Sequence, residues 1–167
     1  MSSATMLSPL IIYREEQNFD WRVYLLFALV ALTGWAVVGF IPFSYTTRSI
    51  LIILIGFFPA LIVVGLLRMT TEVTPTGIVV WFGWIPTYRR IVALDGIVRV
   101  EVVTYRPVRD YGGWGIRGNL GDDERVLNAR GDRGVRIHLA DGSRLLIGSQ
   151  RPAELANAIM GGLRPGV

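Results

Sequence analysis

The sequence has no cysteine, no lysine and a single histidine, His138. The absence of cysteine excludes disulfides and thiol chemistry, and it removes the commonest sulfur ligand of zinc. A single histidine cannot provide a histidine pair for a metal site. Its alternation with Ile137 and Leu139 places it on the outer face of a strand, where a solvated or interface histidine is the simpler interpretation. Composition therefore gives no support to a metal or nucleophilic enzyme.

Charge is also absent from two long apolar stretches, residues 23–47 and 49–67, which are separated only by Arg48. Each stretch can supply the roughly 20 apolar residues that a helix needs to cross about 30 Å of hydrocarbon. Neither stretch contains an ionisable residue, glutamine or asparagine, whereas transporters and channels place such groups at depth. We therefore predict an antiparallel helical hairpin, with a turn over residues 42–49, that anchors the chain rather than transporting a solute.

The distribution of positive charge indicates the orientation of this hairpin. Arg14 and Arg22 precede it, Arg68 follows it, and Arg48 is the one positive charge in the turn. This bias predicts a two-pass protein of the bacterial inner membrane with both termini in the cytoplasm. The predicted organisation is a cytoplasmic or interfacial segment over 1–20, the hairpin over 21–67 and a second domain over 68–167.

Glycines occur along both predicted helices. Small residues allow transmembrane helices to approach closely, because lipid offers no hydrophobic driving force for their association. We predict that these glycines pack the two helices together or contact a partner helix. They are Gly34, Gly39, Gly56 and Gly65.

The region after Arg68 alternates short apolar runs with turn residues, which is typical of antiparallel strands. The Asp141-Gly142 dipeptide predicts a tight hairpin turn. A final helix is predicted from Pro152, since Leu155, Ile159 and Leu163 recur at helical spacing. The predicted strands cover residues 71–74, 78–82, 87–92, 97–105, 125–129, 135–140 and 143–147.

About seven antiparallel strands followed by one helix is the layout of a pleckstrin-homology-like barrel. Residues 14–19 (REEQNF), 111–117 (YGGWGIR) and 146–152 (LIGSQRP), with Glu154 and Leu155, give a closer likeness. With these segments the chain resembles small bacterial membrane proteins in which a two-helix hairpin precedes a bacterial pleckstrin-homology-like domain. The resemblance implies an α+β fold and a membrane location, but no established activity. The connection between the first two strands, Pro75-Thr76-Gly77, is short and uncharged, so the resemblance does not imply phosphoinositide recognition.

Three short motifs have simpler interpretations than the chemistry they suggest. Residues 113–118 match G-x-G-x-x-G, but a dinucleotide site needs a helix to begin there, and a glycine-rich loop is expected instead. The acidic run 122–124 has oxygen ligands suited to a hard cation, although such a run usually solvates a loop. The Arg130-Gly131-Asp132 tripeptide is expected to form the turn before Val135.

Two groups of aromatic and basic residues are the best candidates for a partner or lipid interface, since tryptophan, tyrosine and arginine are enriched in binding hot spots and at lipid headgroups. The alternative for Trp81 and Trp84 is that they fill opposite faces of a small barrel. The first group surrounds the turn at residues 83–86, and the second lies in a long loop. They are Trp81, Trp84, Tyr88, Arg89 and Arg90, and then Tyr111, Trp114 and Arg117.

These features favour a non-enzymatic membrane-anchored scaffold, an accessory or assembly subunit of a larger inner-membrane complex, with a respiratory or photosynthetic complex as one hypothesis for the host. Its expected partners are other integral membrane proteins and bilayer lipids, with no cofactor, metal or small-molecule substrate. Nucleic acid is not expected, because the 14 arginines after Leu67 are interspersed with 10 acidic residues. The alternative function is a regulatory module that senses anionic headgroups or membrane stress through Arg89 and Arg90.

Overall fold

The computed structural model describes residues 10–84, 86–119 and 122–163. Within them, two long apolar helices are joined to a mixed α+β domain in which nine strands form two sheets. The first part contains β1 (Tyr13–Asn18), α1 (Trp21–Phe40), α2 (Tyr45–Leu66), β2 (Arg68–Thr74), β3 (Gly77–Phe82) and β4 (Tyr88–Ala93). A 3-10 turn (Leu94–Gly96) leads to β5 (Ile97–Thr104), α3 (Pro107–Tyr111), β6 (Gly115–Asn119), β7 (Asp122–Asn128), β8 (Arg133–Leu139), β9 (Arg144–Gly148) and α4 (Pro152–Leu163).

The helices α1 and α2 form the predicted hairpin, and both are long and apolar enough to span a membrane. They are not core helices, because Val38 is the only buried residue of α1 and no described side chain of α2 is buried. The connection is shorter than predicted. Ser44 caps α2 by accepting a hydrogen bond from the backbone N–H of Thr47 at 3.2 Å, so Thr46, Thr47 and Arg48 are helical rather than part of the turn.

A strand that the sequence pattern does not predict precedes the hairpin. In β1, the residues that alternate inward are Tyr13, Glu15 and Gln17, so the strand lacks the apolar alternation that normally indicates one. It pairs antiparallel with β2, from Tyr13 opposite Val73 to Asn18 opposite Arg68. The hairpin is therefore an excursion between two neighbouring strands of the first sheet, whose order is β1-β2-β3-β4.

The second sheet has the order β5-β8-β9-β7-β6. Its strands are antiparallel except for β7 and β9, which pair parallel with Leu127 opposite Ile147. This departs from the prediction of about seven antiparallel strands, because β1 and β6 are additional and β9 lies between β7 and β8. Neither sheet closes on itself within the described residues, so the domain consists of two open sheets rather than one closed barrel.

One hydrophobic core joins the two sheets and the last helix. Met69 and Ile78 from the first sheet and Ile137 from the second have no exposed surface, and Leu155 and Ile159 of α4 pack among them. The predicted helical spacing is confirmed, because Leu155 and Ile159 lie on the buried face of α4. This core holds the two sheets together. The first of them contains β1 and β2, the strands between which the hairpin is inserted.

Candidate functional site

The base of the hairpin, meaning the start of α1 and the end of α2, is tied to both sheets by backbone hydrogen bonds. The N–H of Phe19 donates to the C=O of Leu67 at 3.4 Å, which continues the β1–β2 pairing to the helices. The N–H of Asp20 donates to Ala129 beyond β7 at 3.0 Å. The N–H of Trp84 donates to Gly65 in the last turn of α2 at 2.9 Å. The domain therefore meets the hairpin directly, without a flexible linker.

Trp81 and Arg89 lie next to each other on the outer face of the first sheet, as directly opposed residues of β3 and β4. The guanidinium of Arg14 lies 6.0 Å from the centroid of the Trp81 ring. Arg14 is already paired with Glu16 at 2.6 Å and with Glu72 at 2.7 Å. Arg89, in contrast, is exposed and forms no ion pair with any described residue. This face is therefore an aromatic surface with an available cation at one edge.

The sheet separates two other members of the first predicted group from this face. Tyr88 and Arg90 occupy the opposite, inner face, because side chains alternate along β4. Tyr88 packs edge to face on Phe82, with ring centroids 6.2 Å apart. The predicted first interface is thus not one continuous surface.

Trp84 lies beyond the end of β3, with 72% of its surface exposed. Its backbone hydrogen bond to Gly65 places it at the level of the last turn of α2. An exposed indole beside the end of a long apolar helix has the position of an interfacial aromatic anchor. Trp21, at the first residue of α1, is 63% exposed at the same end of the hairpin.

The second predicted group also divides. The hydroxyl of Tyr111 donates to the buried Glu124 at 2.8 Å, and Nε of Arg136 donates to the same carboxylate at 2.6 Å. Burial and the bond to Glu124 raise the pKa of Tyr111. Tyr111 is thus part of an internal polar cluster. Arg117 is exposed, and its Nε donates to the C=O of Trp114 at 3.2 Å.

The segment that contains these residues is more regular than the long loop predicted for it. Residues 107–111 form α3, and residues 115–119 form β6, which pairs with β7. The G-x-G-x-x-G stretch therefore leads into a strand and not into a helix, so the dinucleotide interpretation lacks its required context. Leu120 and Gly121, for which the sequence also predicts a loop, lie outside the described residues.

A basic cleft that the sequence pattern does not reveal lies at the base of the hairpin. It has a volume of about 360 Å³ between the start of α1 and α3. Arg22, Arg106 and Arg109 line it, together with Asp20 and Asp132. From the sequence, Arg22 indicates only the orientation of the hairpin. That it shares a cleft with two arginines more than eighty positions later in the chain depends on the fold.

A second basic cleft lies between β4 and the second sheet. Its volume is about 320 Å³, and Arg90, Arg125 and Arg144 line it with Asp123 and Glu124. Nη1 of Arg125 donates to the hydroxyl of Tyr88 at 3.4 Å. Arg90 therefore faces this seam between the sheets, on the side opposite to Arg89.

The acidic run 122–124 and His138, for which the sequence favours interpretations other than metal binding or catalysis, do not form one group among the described residues. Glu124 is bound by Tyr111 and Arg136, whereas Asp123 is exposed. Nε2 of His138 is buried and lies 3.6 Å from Oε1 of Glu101 on the neighbouring strand β5. Within the described ranges, no group of three histidine or acidic side chains is arranged to hold a metal ion.

The four hairpin glycines have different surroundings. A Cβ on Gly34 would lie 3.1 Å from Ile55, and one on Gly56 would lie 3.0 Å from Trp35, so each of these faces the other helix. Among the described residues, apart from the chain neighbours and the backbone of the same helix, no atom lies within 4 Å of the corresponding position on Gly39 or Gly65. Two glycines thus lie inside the hairpin contact, and two leave its surface open.

A comparison of the sequence with protein-family models gives no match, and a comparison with curated proteins gives none either.

Proposed function

We propose that this chain is a non-enzymatic, membrane-anchored docking subunit that belongs to a larger bacterial inner-membrane complex. The observation that carries the proposal is the insertion of the hairpin between β1 and β2, with Asn18 opposite Arg68 at the last pair before the helices. A domain attached by two adjacent strands is held at a fixed height and orientation. That rigidity suits a scaffold, because it reduces the ordering cost of binding a membrane-embedded partner.

Two surfaces are offered for docking in this arrangement. The outer face of the first sheet presents Trp81 beside Arg89, which are residue types enriched in interface hot spots. Within the bilayer, the open positions at Gly39 and Gly65 allow a third helix to approach the hairpin closely. A partner that contacts both surfaces would be an integral membrane protein with a cytoplasmic part.

A pleckstrin-homology-like architecture is our proposal for the domain. It is supported by a four-stranded antiparallel sheet, a second sheet packed on it through one core, and a C-terminal helix that completes this core. The parallel pairing of β7 with β9 is the main departure. Domains of this general kind present surfaces for binding, which agrees with a docking role.

The proposal is tested by site-specific photocrosslinking of the full chain in native membranes. A photoreactive residue at Trp81 or Arg89 is expected to capture one defined membrane protein, and the same residue at the exposed Asp95 is not. The variant Gly39→Leu is expected to reduce recovery of that protein after solubilisation in mild detergent. Recovery of the chain only as a monomer with lipid, without a crosslink at residues 81 or 89, would rule out the docking function.

The alternative of lipid sensing has one observation in its favour, the presence of arginines at the hairpin base. Surface electrostatics weaken steeply with ionic strength, whereas a packed helix interface does not. Attraction of the sheet domain to anionic headgroups that is lost between low and high salt would favour the sensing function, and retention of the captured protein at high salt would favour docking. Turnover of a substrate that disappeared on substitution of Asp122, Asp123 or His138 would contradict both.

A further inference from the structure

The basic cleft at the hairpin base has the features of an anion site. Arg22 projects from the first turn of α1, while Arg106 and Arg109 flank the start of α3 on the opposite wall. We propose that the cleft binds the phosphate of an anionic bilayer lipid, held by these three arginines. The site is distinct from the outer face of the first sheet and from Arg89 and Arg90.

The charges of the cleft favour an anion. Arg22, Arg106 and Arg109 form no ion pair with any residue in the described ranges. Asp20 and Asp132 also line the cleft, but the carboxylate of Asp20 accepts the N–H of Arg22 at 3.0 Å and caps α1. The guanidinium of Arg22 lies over the ring of Trp21 at 5.9 Å, a contact that leaves its charge without an acidic partner. Guanidinium groups bind phosphate through paired N–H donors, so three guanidiniums without ion pairs on two walls suit a phosphate between them.

The position of the cleft identifies a lipid as the source of that phosphate. A helix of 20 residues such as α1 is roughly 30 Å long, which equals the hydrocarbon thickness. When α1 spans the bilayer, its first turn lies at the headgroup layer, and Arg22 lies there with it. Lipid phosphates are concentrated in this layer, so the cleft opens where its ligand is most abundant.

Two exposed apolar side chains at the cleft fit a lipid better than a soluble anion. Val108 lines the cleft with 60% of its surface exposed. Trp21, which precedes Arg22 in the chain, is 63% exposed, and its ring lies 5.9 Å from the guanidinium of Arg22. Apolar side chains beside cations are typical of surfaces that contact the headgroup and acyl boundary. Trp114 also lines the cleft, and its indole Nε1 is buried without a hydrogen-bond partner among the described residues.

The test is a titration of phosphatidylglycerol into the full chain in mild detergent, with bound lipids counted by native mass spectrometry. The variant pair Arg106→Ala with Arg109→Ala is compared with Arg89→Ala with Arg90→Ala, which removes the same charge outside the cleft. Each arginine near an anionic surface contributes about fivefold, so the cleft pair is expected to weaken the tightest site roughly 25-fold. The control pair is expected to leave this site unchanged.

A second variant keeps the result interpretable if substitution of Arg106 and Arg109 impairs folding. Val108→Asp adds a negative charge at the rim without removing an arginine, and it is expected to weaken phosphatidylglycerol binding while phosphatidylcholine binding stays constant. Equal weakening by both arginine pairs, or no weakening by the cleft pair and Val108→Asp, would overturn the site. Displacement of the lipid by inorganic phosphate at similar concentration would overturn the assignment to lipid.

This proposal shares with the docking function only the requirement that the hairpin spans the bilayer. Lipids are counted here in the absence of any partner protein. A failure of photocrosslinking at Trp81 or Arg89 would therefore leave the lipid site standing, and loss of the lipid site would leave the docking function standing.

Discussion

The indole of Trp35 occupies the space that Gly56 leaves on the facing helix, since a Cβ on Gly56 would lie 3.0 Å from Cζ2 of that ring. The same indole donates its Nε1 hydrogen bond to the backbone C=O of Ile52 at 3.1 Å. This is a specific contact between α1 and α2, in which a small residue and a large one are complementary. Hairpin stability should therefore depend on Gly56 more than on a glycine that faces outward.

We expect Gly56→Leu to destabilise the hairpin by about 1–3 kcal/mol, the usual cost of overpacking a closely packed site. The matched variant Gly39→Leu should change stability by less than about 0.5 kcal/mol, as outward surface substitutions usually do. Thermal unfolding in detergent, followed by circular dichroism of the helices, measures both. Equal effects of the two substitutions would contradict the observed helix packing.

We expect the stability of the sheet domain to depend on the buried carboxylate of Glu15 in β1. Glu15 accepts hydrogen bonds from the hydroxyl of Tyr13 at 2.7 Å, from Ser149 at 2.6 Å and from the N–H of Gln150 at 2.8 Å. Glu15→Ala would leave three donors without this acceptor, and it should cost roughly 2–4 kcal/mol.

The control for this prediction is Glu16→Ala. Glu16 is exposed and pairs with Arg14 and Arg68 at the surface, so its loss should cost less than about 1 kcal/mol. Chemical unfolding followed by tryptophan fluorescence compares the two variants. A loss for Glu15→Ala no larger than that for Glu16→Ala would show that the buried carboxylate does not hold β1 to the loop before α4.

The buried tyrosines predict a loss of stability at alkaline pH. Burial raises the pKa of Tyr105 from its ordinary value of 10.0 to about 12, and burial also raises the pKa of Tyr111. The neutral phenol is favoured in the folded state, so its contribution is complete below pH 10 and is lost as the pH rises towards 12. Tyr105→Phe should reduce this loss between those values.

Unfolding free energies measured from pH 8 upward, with tyrosine ionisation followed by absorbance, test this prediction. The control is Tyr45→Phe, because Tyr45 is 87% exposed at the far end of the hairpin. It should leave the alkaline loss unchanged. A stability that rises through the same interval would contradict the sign of the effect.

Trp84 and Trp81 should differ in their distance from the bilayer. The backbone hydrogen bond from Trp84 to Gly65 holds Trp84 at the end of α2. Trp81, in contrast, lies on the outer face of the first sheet between Thr70 and Arg89. In variants that retain a single tryptophan, a headgroup-attached quencher should reduce the fluorescence of Trp84 more than that of Trp81. A quencher at the bilayer centre should affect neither, and stronger quenching of Trp84 at the centre would contradict its interfacial position.

The sequence predicts the features that depend on apolar periodicity or on local turn chemistry. The two long helices, the strand from Ile78 to Phe82 and the Asp141-Gly142 turn are all in their expected places, as is α4 from Pro152. The strand β1 could not be predicted in this way, because its inward Glu15 and Gln17 are polar and depend on distant groups such as the C=O of Gly148, which accepts from Gln17 at 2.9 Å. The pattern is polar, although the environment is buried.

The candidate surfaces show the same limit. Trp81 and Arg89 are directly opposed across β3 and β4. This pairing can be read from the sequence only when the strand register is known. Arg89 and Arg90 are neighbours in sequence, yet the alternation of the strand sends them to opposite faces. Arg22 and Arg106, in contrast, are far apart in sequence and line one cleft. Composition identifies the residue types, whereas strand register and the packing of distant segments determine which of them lie together.

The insertion of the hairpin between adjacent strands leads to a final prediction about the domain alone. Because Phe19 and Leu67 are joined by a backbone hydrogen bond, an Asn-Gly turn in place of residues 20–66 would close β1 and β2 as an ordinary two-residue β-hairpin. The shortened protein should be soluble without detergent and unfold cooperatively. Removal of residues 1–67 should instead give an unstable product, since it also removes β1 and with it the bonds of Glu15 and Gln17 to the segment before α4. Gel filtration and thermal unfolding distinguish the two proteins, and equal stability would mean that β1 is dispensable to the sheet and that the hairpin merely precedes the domain.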